Sequence, residues 1–165
     1  MTPRLARIQS ANETYARSAA QRPLWPSRPS LGLAVVTCMD GRINVNEALG
    51  LADGEAHILR NAGGLATDDV LRSLVVSQWA LGTEDVLVIQ HTGCGMLGLD
   101  EPSLRAQIAQ ETGAELPLAL GGFADLQASV RAAVGRIRAC QSLRARDRVS
   151  GCIFDLESRL LRQVA

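Results

Sequence analysis

The sequence predicts an α/β fold, a parallel-core β-sheet flanked by helices and preceded by an N-terminal helical arm. Three observations carry this expectation. Strand-like and helix-like segments alternate along most of the chain, the pattern that builds a parallel sheet with helices on both faces. The stretch "DVLVIQH", residues 85–91, is apolar on both faces, as a central parallel strand is. The stretch "RPLWPSRPS", residues 22–30, carries three prolines and detaches the first helical segment from the body.

The elements follow in order. Residues 3–20 set Leu5, Ile8 and Tyr15 as one modest apolar stripe among polar residues, which predicts a helix. With the proline-rich linker it forms an arm over residues 1–30, and residues 31–165 form a single α/β domain. "LGLAVVTC" reads as a buried strand through Leu33, Val35 and Val36. A short helix over about 44–50 ends at Gly50, "AHILR" is a second strand, and "NAGG" is a turn. Thr67 can cap a helix over 68–81, with Asp68 and Asp69 favouring the dipole of its first turn and Gly82 ending it. Helices over about 103–112 and 123–139 follow the central strand, and "VSGCIFDL" is a fourth strand.

Composition narrows the function. A chain of 165 residues suits one domain, and formal net charge is zero. A nucleic-acid or anionic-membrane partner would need a basic face, so neither is expected. All 17 basic residues are Arg, which excludes Schiff-base and P-loop lysine chemistry. The N-terminus "MTPRLARIQSANETYARSAA" has no apolar core to serve as a secretory signal, and no apolar run is long enough for a bilayer. The expected location is cytoplasmic. There the four cysteines, at 38, 94, 140 and 152 with no CxxC, read as thiols or metal ligands.

Ligand sites in such sheets lie beyond the carboxyl ends of the strands. Two strands end there with chemistry-bearing residues: "VVTCMDGRIN" delivers Cys38, Asp40 and Arg42, and "QHTGCG" delivers His91 and Cys94. Each motif alone has a bland reading. A lone cysteine at a strand end is usually a buried thiol, and H-x-x-C by itself is weak. If the two strands are neighbours, Cys38, His91 and Cys94 converge into a thiolate–imidazole–thiolate shell suited to Zn²⁺, with one position open. Gly93 and Gly95 let the chain bend sharply enough to bring Cys94 back beside His91. By the same weighing, Cys140 and Cys152 read as core thiols, and His57 as a strand-end histidine.

C-x-D-x-R followed by H-x-x-C, with "RNAGG" between them, resembles the β-class carbonic anhydrases, specifically the small bacterial type. The resemblance runs through "EALGL", "GEAHILRNAGG", "TDDVLRSLVVSQWALGT" and "VLVIQHTGCGM" and returns at "GCIFDLESRLL", covering about 30–165. It implies Cys38, His91 and Cys94 as ligands of one Zn²⁺ per chain, and Asp40 and Arg42 as the catalytic pair. Asn61, Ala62, Gly63 and Gly64 match the glycine turn that passes close to the metal. The implied activity is reversible hydration of CO₂ to bicarbonate and a proton, through a zinc-bound hydroxide aimed by Asp40, which Arg42 holds. The implied assembly is a homodimer or dimer-based tetramer, the arm packing on a partner subunit. Gly41 stands where the family commonly has Ala, and Gln90 where other members often have His. A hydrolase of carbonyl sulfide or carbon disulfide would use the same site. A purely structural zinc module would close the shell with a fourth Cys or His, and neither Cys140 nor Cys152 lies at a matching strand end.

Overall fold

In the computed structural model, which describes residues 2–165, five strands pair into one sheet. They are β1 (Leu33–Cys38), β2 (Ala56–Asn61), β3 (Asp85–His91), β4 (Val149–Phe154) and β5 (Leu161–Gln163). Their order is β2-β1-β3-β4-β5, with β2, β1, β3 and β4 parallel and β5 antiparallel to β4. The central position of β3 explains its composition, because neither of its faces meets water.

Side-chain alternation along β1 and β3 sorts the core into two layers. Ala34, Val36, Val86 and Val88 face Val70 and Leu74 of α3 (Asp68–Trp79) and Val134 and Ile137 of α5 (Leu126–Ala139). Val35 and Ile89 face the other way, against Ile43, Cys152, Phe154 and Val45 of the short helix α2 (Val45–Leu49). Leu74 is fully buried in the first layer. Leu74→Ala is therefore expected to lower unfolding free energy by about 2–5 kcal/mol, read as a lower denaturation midpoint at unchanged slope.

The helix ends show where local chemistry decides. Thr67 accepts from Val70 N–H and caps α3, whose regular turns stop at Trp79, two residues earlier than the sequence suggests. Asp100 caps the helix α4 (Glu101–Thr112), so that helix starts in its proline-bearing turn rather than at 103. Asp125 caps α5, moving its start from 123 to 126.

Strand β5 is an addition to the four strands read from sequence. It spans three exposed residues and has no apolar alternation to announce it. Asp155 makes the reversal: its carboxylate accepts from Ser158 N–H, Ser158 Oγ–H and Glu157 N–H, and Arg159 turns the chain at φ 60°.

The helix α1 (Pro3–Ala19) buries none of its residues against the body. The linker after it is held at several points. Ser30 N–H donates to Gly54 O and Leu31 N–H to Glu55 O, at 3.0 and 3.1 Å. His57 Nε2 lies 3.2 Å from Ser27 O, while its Nδ1 lies 2.7 Å from Ser77 Oγ. Met1, the first residue of the arm, lies outside the described residues. Among the described residues, no helix is long and apolar enough to cross a membrane.

Candidate metal centre

β1 and β3 are hydrogen-bonded neighbours running in the same direction, so their carboxyl ends open at one place. Cys38 ends β1, His91 ends β3, and Cys94 sits in the turn that follows. All three are buried, with 4%, 0% and 6% exposure respectively. Their donor atoms lie within 4.8 Å of one another, and the two sulfurs are 4.0 Å apart.

This donor set fits zinc. Two sulfurs each about 2.3 Å from a tetrahedral zinc stand about 3.8 Å apart, close to the separation found. His91 Nδ1 lies 2.9 Å from the Thr92 carbonyl, an arrangement in which Nδ1–H donates and Nε2 keeps its lone pair. That Nε2 is buried and has no hydrogen-bond partner among the described residues. Burial pushes the Cys94 thiol up, an effect partly offset by the Met96 N–H on its sulfur. A bound cation would satisfy Nε2 and stabilise both thiolates.

Asp40 stands beside this cluster, its Oδ2 3.7 Å from His91 Nε2, without belonging to it. Arg42 grips it as a fork. Nε donates to Oδ1 at 2.9 Å and Nη2 to Oδ2 at 2.6 Å, while the Arg42 backbone N–H donates to Oδ1 at 2.9 Å. These side-chain and backbone hydrogen bonds hold the Asp40 carboxyl well below the usual carboxylate range. Arg42 Nη2 also donates to Gly93 O at 2.9 Å, tying the pair to the turn that carries Cys94.

The glycine turn folds as a short 3-10 segment over Ala62–Gly64, kinked at Gly63, whose φ is 78°. Asn61 does not face the cluster as a free group. Its side chain staples the turn shut, donating to Leu65 O and accepting from Leu65 N–H, both at 2.8 Å. Gly64, at φ 62°, lies so close to the ligand-bearing strands that a Cβ would come within 2.9 Å of Ile89 O and 3.0 Å of Cys38 N. Gly63 packs against Met96 and Phe123, and Ala62 is half-buried beside it. Gln90 reaches this turn through a long contact, Nε2 to Gly64 O at 3.4 Å.

Arg60 was not singled out by the sequence. It donates to the carbonyls of Cys38 (2.9 Å), Asp40 (2.6 Å) and Ile43 (3.2 Å), spanning the loop that carries Asp40 and Arg42. The available signal was its place one residue from the end of β2, in register with Thr37. Cys140 and Cys152 lie elsewhere, at the end of α5 and inside β4. His57 is tied to Ser77 and the linker.

Three comparisons bear on this geometry. A carbonic anhydrase family model matches residues 33–116. The chain is 37% identical over 154 residues to Beta-carbonic anhydrase 1 of Mycobacterium tuberculosis, covering 93% of this chain and 94% of that protein. It is 32% identical over 154 residues to a carbon disulfide hydrolase of Acidithiobacillus thiooxidans, covering 79% and 71%. Among solved structures, carbonic anhydrase from Streptococcus mutans matches with a TM-score of 0.93 at 34% identity, covering 100% of this chain and 99% of that one.

Proposed function

The chain belongs to the β-class carbonic anhydrase family, and from that premise we propose that it hydrates CO₂ reversibly to bicarbonate and a proton, with one Zn²⁺ held by Cys38, His91 and Cys94. The observation that carries this reading is a buried donor set of three with no fourth member among the described residues, flanked by a carboxylate held off it by arginine. Structural zinc sites are closed by four protein ligands, whereas catalytic ones keep a position open.

Zinc held by Cys38, His91 and Cys94 would supply the Lewis acidity that makes water a competent nucleophile near neutral pH. The remaining work belongs to the chain. Asp40 stays ionised and would accept a hydrogen bond from the attacking water, turning a lone pair of that water toward the substrate carbon. Arg42 fixes the carboxylate plane and keeps it from swinging onto the donor cluster. Arg60 positions the loop beneath both by holding its carbonyls. Gly64 allows the turn to close against the ligand strands, where a Cβ would meet Ile89 O and Cys38 N.

The test is stopped-flow CO₂ hydration across pH on protein of measured zinc content. The expected result is activity that rises with pH at one zinc per chain. Full zinc with no hydration at any pH would overturn the reading. The similarity to a carbon disulfide hydrolase gives a second reading, and sulfide release from carbon disulfide by the same sample would then identify it. The carbonic anhydrase reading is preferred because that match spans nearly the full length of both chains.

Proton export has no histidine relay. Of two histidines, His91 belongs to the donor set and His57 is engaged by Ser77 and Ser27. Turnover should therefore climb with the concentration of buffer base at fixed pH and ionic strength, and turnover indifferent to buffer would contradict this.

Residues 1–30 are proposed to act as an arm that packs on a second copy, in a homodimer or dimer-based tetramer. The exposed Leu5, Ile8 and Tyr15 on α1 support this. Residues 31–165 are the catalytic domain. A cytoplasmic location is proposed because a reducing compartment keeps Cys38 and Cys94 available as thiolates.

A further inference from the structure

We propose that the end of the sheet remote from Cys38, His91 and Cys94 carries an anion site that takes a phosphoryl group, free or borne by a small metabolite. A cavity of about 320 Å³ opens there, lined by Arg28 of the linker, Gln78 of α3, Gly82, Arg144, Arg148 and one carboxylate, Glu84, whose Oε2 is taken up by Arg148 at 2.7 Å. It lies at the amino ends of β3 and β4, which begin at Asp85 and Val149. The metal donors lie at the carboxyl ends.

The charges around this cavity are unevenly matched. Arg148 is saturated, donating to both oxygens of Asp85 and to Glu84. Arg28 and Arg144 are different: neither guanidinium has a carboxylate or hydrogen-bond acceptor among the described residues. Arg144 stands 4.9 Å from the centroid of Trp79, a contact that orients the fork without neutralising it. Arg28 is seated against the turn at Gly82, where a Cβ would come within 2.6 Å of its Nε and 2.7 Å of its Cζ.

A third donor is fixed beside them. Gln78 is 2% exposed, and its Oε1 accepts from the backbone N–H groups of Arg144 and Ala145 at 2.8 and 3.3 Å. Those bonds determine which end of the amide is which. They leave Nε2 as a buried donor with no acceptor among the described residues, an unfavourable state for a protein interior. Two guanidinium forks without carboxylate partners match the several oxygens of a phosphoryl dianion. The cavity volume falls at the small end of ligand pockets, about 300–1,000 Å³.

The test uses the full-length, zinc-loaded chain in calorimetric titrations with inorganic phosphate and, separately, glycerol 3-phosphate, against chloride at matched ionic strength. The expected result is saturable binding of one anion per chain. Binding should weaken by at least about tenfold in an Arg28→Ala/Arg144→Ala double variant, with CO₂ hydration unchanged. Gln78→Glu keeps an acceptor for Arg144 and Ala145 but puts a carboxylate where the donor was, and should abolish binding. Arg144→Gln serves as the second variant if Gln78→Glu fails to fold. Tighter binding of glycerol 3-phosphate assigns the site to a phosphorylated metabolite, and tighter binding of inorganic phosphate assigns it to the free ion. No saturable binding of either anion would overturn the proposal. So would binding that is equal in wild type and in the double variant, which would locate the anion elsewhere, the metal included.

Discussion

Cys94→Ser is expected to strip zinc from the chain and reduce CO₂ hydration to the level of the zinc-free protein. A serine hydroxyl stays neutral where a thiolate carries charge, and oxygen is a poorer soft donor than sulfur. Loss of partners that merely orient a ligand already costs about 10–100-fold in metal affinity, and removing the ligand itself should exceed that. The fold should survive, because Cys94 sits in the turn after β3 and belongs to neither core layer. Zinc per chain after dialysis against a chelator is the first readout, and thermal unfolding is the control. A variant that kept both zinc and turnover would remove Cys94 from the ligand set.

Asp40→Asn is the second large effect, and it should separate metal binding from chemistry. The substitution preserves shape, and Asp40 lies outside the donor cluster, so zinc content should stay at one per chain. The amide can donate where the carboxylate only accepted, and the orientation of the nucleophile is lost. We expect kcat/KM to fall by about 100- to 1,000-fold, roughly 3–4 kcal/mol. The loss should be similar at every assay pH. Arg42 depresses the pKa of Asp40 in the folded chain, so this carboxylate contributes stability above its unfolded pKa. That contribution is lost only in acid below the usual carboxylate range. An activity decline on mild acidification therefore belongs to another group. Arg42→Ala should retain zinc and lose rate through the same carboxylate. Full activity in either variant would contradict the role given to the pair.

The sequence made some of this architecture legible for identifiable reasons. β1 and β3 were readable because both faces are buried, so their apolar runs are nearly unbroken. The donor set was readable because reactive side chains sit where an apolar strand normally gives way to turn residues. β5 was not, since three exposed residues carry no periodicity. Arg60 was hidden because a charged residue at an exposed strand position looks like a solvated side chain, whereas its function is to gather three backbone carbonyls. Asn61 was assigned to the site by position, but its amide is spent closing its own turn. Sequence spacing identifies which residue types are near a site. It says little about which of their atoms are already committed.

The pairing of β1 with β3 also governs when the chain would become able to hold a metal. Cys38 and Cys94 are 56 positions apart, and the chain between their strands also supplies β2, on the outer side of β1. Such non-local pairing is slow, because loop-closure entropy is lost before the contacts that compensate it form. During synthesis the first thiol emerges well before its partners and can contribute only a single donor. An ion held by these donors would therefore be captured late in the life of the nascent chain. Once bound, it would fasten the carboxyl ends of the two middle strands across that long separation, acting on folding as a cross-link does and lowering the rate at which the finished sheet opens.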